Sequence, residues 1–267
     1  MNDEVVGKEA TELFANAQEM LAQIISENWL IAKAVVGFWP ANTIREDDIA
    51  VFEIDENGVE NRNNTSFLYH HLRQQNAKSG GLPNFNLSDF VAPVETGIRD
   101  YLGGFAVSIF GAQEKALEFE KDLDDYNSIM VKALADRFAE AFTELLHQRS
   151  RKEFWGYDSR EALSNEDLIQ EAYKGIRPAP GYPACPDHTL KINLFKQLDA
   201  EKEIGIILTE NLAMYPASSV SGFFFAHPDS RYFGLGKINK DQIENYSARK
   251  GVSVEEAEKW LSPALAY

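Results

Sequence analysis

The chain has 267 residues, 44% of them hydrophobic and 12% aromatic, enough for one large domain or two small ones around a substantial core. Asp and Glu outnumber Lys and Arg by 42 to 26, for a net charge of −16. The average surface therefore repels a phosphate backbone, which argues against nucleic acid as a partner and leaves either an ordinary solvated surface or a preference for cationic ligands. A single cysteine, Cys185, excludes an intrachain disulfide framework. No stretch approaches the roughly 20 apolar residues of a membrane span, and the start, "MNDEVVGKEA", lacks the basic-then-apolar pattern of a signal. These features predict a cytoplasmic protein with no membrane contact.

In chain order, Val6, Ala10, Leu13, Ala17, Met20, Leu21 and Ile24 recur at helical spacing and predict an amphipathic helix over 4–28. "AVVGFWPA" and "IAVFEI" read as strands, followed by the turn "DENG". "NTSFLYHHLRQQ" fits strand or helix, "KSGGLPN" is a loop, and "FAVSIFG" (105–111) is a strand. A long helix is predicted over about 113–150, with Tyr126, Met130, Leu134, Phe138, Phe142 and Leu145 in one stripe and Arg137, Glu140 and Glu144 on the polar side. The basic run "RSRK" (149–152) suits a helix C-terminus, with a docking patch as the second reading. "SNED" (164–167) is a capping box for a short helix to about Tyr173. "DHTLKINLFKQLDAEKEI" reads as a helix capped by Asp187. "IGIILTENLAMYP" and "SSVSGFFFAHPDSRYFGLGKI" give strands, the last two joined through "HPDS" as a hairpin. Two final helices are separated by Gly251, with "SVEE" capping the second.

No regular βαβ rhythm and no phosphate-binding glycine motif is present, so the expected class is α+β: a single domain with a mainly antiparallel sheet flanked by helices. No catalytic constellation stands out. His70 and His71 would point to opposite faces of a strand, which is poor for one metal. HExxH, CxxC and GxSxG are absent. Cys185 has no evident activating base and reads as inert. Neither catalytic residues nor metal ligands are assigned.

The stretch "RPAPGYPACP" (177–186) holds four of the ten prolines. Arg177, Ala179, Tyr182 and Cys185 each precede proline and should be extended. Such a backbone has few donors and leaves carbonyls free for a ligand that carries donors. Arg177 could grip a carboxylate with two parallel hydrogen bonds. On an exposed loop its charge reversal would be expected to spare the fold. Gly181 permits close approach or positive φ, and Tyr182 offers a flat face to a base or a cation. The set suits a zwitterionic amino acid joined to adenosine, although proline-rich loops also serve as plain connectors.

"RPAPGYPACPDHT" resembles the Arg-x-x-x-Gly-Tyr signature of the activation domain of cobalamin-dependent methionine synthase. "DDYNSIMVKALADRFAEAF", "TENLAMYPASSVSGFFFAHPDSRYF", "HHLRQQ" and "RKGVSVEEAEKWLSP" resemble the same domain, in the same order, over essentially the whole chain. The resemblance implies a bent antiparallel sheet with helices, binding S-adenosylmethionine over residues 1–267. It places Arg177 on the methionine carboxylate, with Ala179, Gly181 and Tyr182 around the adenosine. Glu140 becomes an acidic ligand contact, Tyr232 and Phe233 complete the site, and Glu171 is a further candidate for the ribose hydroxyls. The family domain extends further toward its N-terminus, where an Asp contacts the ligand, so a shortened domain is expected. The implied role is reactivation: one-electron reduction of oxidised cobalamin on a partner domain, coupled to methyl transfer from S-adenosylmethionine. The implied partners are the cobalamin-binding domain and a flavodoxin or similar flavoprotein, with "RSRK" as a landing site. Two other readings stay open: a docking module for a corrinoid domain or flavodoxin without tight ligand binding of its own, and an autonomous S-adenosylmethionine enzyme.

Overall fold

Both faces of the segment 31–44 are apolar. Ala34, Val36 and Phe38 pack with Phe105, Val107 and Phe224, while Val35, Trp39 and Ala41 pack with Leu102, Ala106 and Leu194. A strand covered on both sides belongs in the middle of a sheet. The computed structural model, which describes residues 6–267, puts it there. Strands β1 (Ile31–Ile44), β2 (Asp48–Ile54), β3 (Glu60–His70) and β4 (Asp100–Phe110) precede a two-residue ladder of β5 (Ile207–Leu208) and β6 (Met214–Tyr215), and then β7 (Ser219–Phe224). The main sheet runs β3-β2-β1-β4-β7 and every pairing in it is antiparallel. This is the expected α+β class. β1 pairs with β4 from Ile31 to Ala41 and with β2 from Ala41 to Ile44. Pro40, which has no N–H to give, stands at the handover between the two partners.

The helices among the described residues are α1 (Gly7–Glu27), α2 (Ala112–Lys121), α3 (Asp125–Arg149), α4 (Asn165–Ile169), α5 (Leu190–Leu198), α6 (Ala200–Ile204), α7 (Lys240–Lys250) and α8 (Val254–Leu261). α3 covers one face of the sheet through Phe142 and Leu146. α5 and α6 cover the other through Leu194, Leu198 and Ala200. α1 matches the first predicted helix, whose residues 4 and 5 lie outside the described residues.

Three expectations need correction. The helix over 113–150 is two helices. Leu123 adopts φ 59° and the Asp124 carboxylate accepts from the Asn127 N–H, so a new helix starts there. The predicted stripe is accordingly uneven, with Met130 buried but Tyr126 and Leu145 about half exposed. The helix after Asp187 also divides, at Asp199 with φ 49°. Asp187 does not cap it through the first helical N–H groups; it accepts from the Thr189 N–H and hydroxyl, and binds Tyr246 and Lys250 of α7. Finally, no hairpin follows "HPDS". Residues 231–237 form no strand, and the Leu235 N–H donates to the Pro183 carbonyl at 2.8 Å.

The predicted caps of the short helices hold. Ser164 and Asp167 form a reciprocal capping box on α4, which ends at Ile169 rather than near Tyr173. Gly251 ends α7 at φ 74°, and Ser253 accepts from the Glu256 N–H to start α8. No described helix is long and apolar enough to cross a membrane.

Candidate functional site

The proline segment lies along the free edge of β7. Ile176 exchanges both backbone hydrogen bonds with Phe225 at 3.0 Å, and the Phe223 N–H donates to the Pro178 carbonyl at 3.0 Å. A segment without N–H groups at alternate positions accepts from an edge strand but cannot pass the ladder on, which closes the sheet there. Gly222 makes the approach possible, since a Cβ at that position would come within 2.7 Å of the Pro178 oxygen.

Beyond Pro178 the segment turns. The Tyr182 N–H donates to the Ala179 carbonyl, the Cys185 N–H to the Tyr182 carbonyl, and the Gly181 N–H to the Cys185 carbonyl, over 2.7–3.1 Å. The expected row of free carbonyls is therefore largely engaged by the protein's own amides. What remains for a ligand at Ala179 is the second lone pair of its oxygen. Gly181 needs its φ of 100° for this turn, and a Cβ there would strike the His188 ring at 2.1 Å. Its role is the shape of the loop.

Between the segment and α3 lies a cleft of about 500 Å³. Phe105 and Val220 form its floor, Glu140 and Thr143 of α3 one wall, and Arg177 to Ala179 with Tyr182 to Ala184 the other; Tyr232, Phe233 and Gly234 close the end. Six of the seven predicted binding residues thus meet in one place: Glu140, Arg177, Ala179, Tyr182, Tyr232 and Phe233. Gly181 faces a neighbouring depression with His188 and Trp260 instead. Glu171 does not line the cleft. Its size is that of a small-molecule site.

Arg177 is less exposed than a loop position suggests, with 21% of its side chain accessible. Its guanidinium meets the Glu144 carboxylate at 2.6 Å, the Tyr173 hydroxyl at 2.6 Å and the His147 Nδ1 at 3.2 Å. Its backbone N–H donates to the Tyr232 hydroxyl at 3.0 Å, which ties the two ends of the cleft together. Reversal to Glu would set a second carboxylate against Glu144, so the expectation that this change spares the fold does not stand; Arg177→Gln is the cleaner probe. The sequence reasoning missed Thr143, Glu144 and His147, although they sit three, four and seven residues beyond Glu140 and share its helical face. It also missed Tyr173.

Other candidates resolve plainly. Cys185 is buried, and burial pushes its thiol well above the ordinary range, which fits the inert reading. His70 bonds Asp48 at 2.9 Å, and the adjacent His71 is buried with no hydrogen-bond partner for Nε2. No group of three or more His, Cys, Asp or Glu suited to a metal occurs among the described residues. The basic run reaches the surface only in part: Arg151 is fully buried against Glu161, and the half-exposed Arg149 pairs with Glu153 at 2.9 Å.

The crystal structure of the MetH reactivation domain bound to AdoHcy is similar to this chain, with 52% sequence identity and a TM-score of 0.92 over 99% of this chain and 80% of that one. The family described as "Vitamin B12 dependent methionine synthase, activation domain" matches residues 1–251. With a match of that extent, and the proline segment, α3 and the 232–234 turn gathered around one cleft, the chain belongs to the activation-domain family of vitamin B12-dependent methionine synthases.

Proposed function

We propose that the cleft binds S-adenosylmethionine and presents its methyl group for reactivation of the enzyme's cobalamin. The observation that carries this reading is the convergence of Arg177, Glu140 and a mainly apolar, partly aromatic lining in a cleft of about 500 Å³. The similar reactivation domain is bound to AdoHcy, the demethylated form of the same molecule. In this reading Arg177 takes the methionine carboxylate, and Glu140 faces the cationic sulfonium and ammonium end. Ala179, Tyr182, Tyr232 and Phe233 surround the adenosine, and Gly181 shapes the turn that carries Tyr182.

The cleft suits a nucleoside-sized ligand and is too small for a corrin, so cobalamin belongs on the partner cobalamin-binding domain. Cobalamin bound there supplies the reduced cobalt that accepts the methyl group. A methyl on sulfonium is already activated, so this chain has only to bind, orient and exclude water. That agrees with the lack of an assigned acid–base pair. The electron donor in this reading is a flavodoxin or similar flavoprotein, as the family resemblance implies. If "RSRK" is its landing site, Arg149 and Lys152 carry the contact, because Arg151 is buried.

Calorimetric titration with S-adenosylmethionine tests the reading. One site per chain is expected, with Arg177→Gln weakening it about tenfold or more through loss of charge-assisted hydrogen bonds. No binding by the folded wild-type chain would reject it and favour the docking-module reading.

A further inference from the structure

Arg177 reaches the cleft already held from behind. Nη1 donates to the Tyr173 hydroxyl at 2.6 Å and to His147 Nδ1 at 3.2 Å, and Nη2 is ion-paired with the Glu144 carboxylate at 2.6 Å. A guanidinium has five N–H donors. Among the described residues no hydrogen bond takes Nε–H, and Nε–H and an N–H of Nη2 can lie parallel on one edge. His147 accepts at Nδ1 only as neutral imidazole with its proton on Nε2, which then faces the Tyr157 hydroxyl at 3.4 Å. Burial, reinforced by the Arg151 and Arg177 guanidiniums, holds His147 well below the ordinary imidazole range and so keeps it neutral.

The holders are themselves fixed. The fully buried His147 ring stacks on Phe224 at 5.0 Å and meets the edge of Tyr173 at 5.0 Å. The Arg151 guanidinium, paired with buried Glu161, lies 4.3 Å from the centre of the Tyr173 ring. Arginine normally loses rotamer freedom when it closes on a ligand; here that loss has occurred on folding.

We propose that His147 and Tyr173 are positioning residues which, with Glu144, aim the Nε–H and Nη2–H edge of Arg177 at the α-carboxylate of the ligand and make the cleft selective for ligands that keep it. The proposal rests on the S-adenosylmethionine reading above and adds which residues set its selectivity.

The test compares S-adenosylmethionine with its decarboxylated form, which differs only in the carboxylate, by titration of the wild-type chain, Tyr173→Phe, His147→Phe and His147→Asn. Thermal unfolding of each variant establishes that it is folded. Tyr173→Phe and His147→Phe are each expected to weaken S-adenosylmethionine about tenfold and to leave the decarboxylated ligand unchanged. His147→Asn, whose amide oxygen can accept from Nη1, is expected to keep most of the affinity. Wild-type affinity in both Phe variants, alongside loss in Arg177→Gln, would overturn the proposal and leave the site reading intact. Equal weakening of both ligands would overturn it as well, by reducing the two residues to structural support. Tyr173→Phe removes a single oxygen and keeps the test decisive should the His147 variants unfold. A wild-type chain that binds neither ligand would overturn the site reading, and this proposal with it.

Discussion

Arg151 and Glu161 form an ion pair that water does not reach, with 0% and 2% of their side chains exposed. A buried pair of this kind adds little over a well-packed apolar pair, but removing one member strands the other charge. Arg151→Met should therefore destabilise the chain by about 3–5 kcal/mol, and Arg151→Met with Glu161→Leu should recover most of that, as read by urea unfolding. His71 gives a second expectation. Burial lowers its pKa to about 3 from a reference of 6.5. As pH falls below about 6.5 the unfolded chain takes up a proton there while the folded chain does not. Stability therefore falls across the window between these two values and is flat above it, at about 1.4 kcal/mol per pH unit for each such group. Between pH 7 and pH 5 this one histidine should cost about 2 kcal/mol. Its replacement by Leu should make the pH dependence of urea unfolding shallower by that amount, and an unchanged slope would assign the acid sensitivity elsewhere. None of this was readable from "HHLRQQ", because neither burial nor the missing partner of Nε2 is a property of local sequence.

The helices that were read correctly carry local signals: Ser164 and Asp167 on α4, and Gly251 and Ser253 between α7 and α8. The missed break before α3 carries only the Asp124 cap, inside a run of apolar residues that keeps helical spacing on both sides. Leu123 separates α2 from α3 with φ 59°, a conformation that costs a branched side chain about 1–2 kcal/mol and glycine almost nothing. It is 91% exposed, so the side chain contributes little packing. Leu123→Gly should stabilise the chain by up to about 1 kcal/mol once the greater freedom of the unfolded glycine is set against the relief; an unfolding midpoint that falls would contradict the assigned conformation. The absent hairpin has a different cause. The 231–237 segment alternates like a strand, but its hydrogen-bonding groups go to the proline segment: the Tyr232 hydroxyl accepts from the Arg177 N–H, and the Leu235 N–H donates to Pro183. A partner some 50 residues away in sequence outcompetes the neighbouring strand, and no window of local pattern shows that.

Across the molecule, the irregular order of strands and helices, without a βαβ rhythm or a phosphate-binding glycine motif, was enough to read the α+β class. The site was legible in part. Proline spacing marked 177–186 as unusual, and the family resemblance brought in Glu140, Tyr232 and Phe233. The cage around Arg177 was not legible, because Glu144 and His147 are ordinary polar positions on a helix until the fold sets them against a loop 30 residues on. Charge belongs to this level as well. The acidic balance of the chain leaves Arg177 as a cation in a cleft that it shares with Glu140, a pairing matched to a zwitterion and poorly matched to a polyanion. The decisive measurement is a crystal structure of this chain grown with S-adenosylmethionine. The account predicts the ligand in the cleft between α3 and the proline segment, its carboxylate on the Nε and Nη2 edge of Arg177 and its adenosine against Tyr182 and Tyr232. A saturated ligand seated elsewhere, or one lying in the cleft with its carboxylate turned away from Arg177, would contradict it.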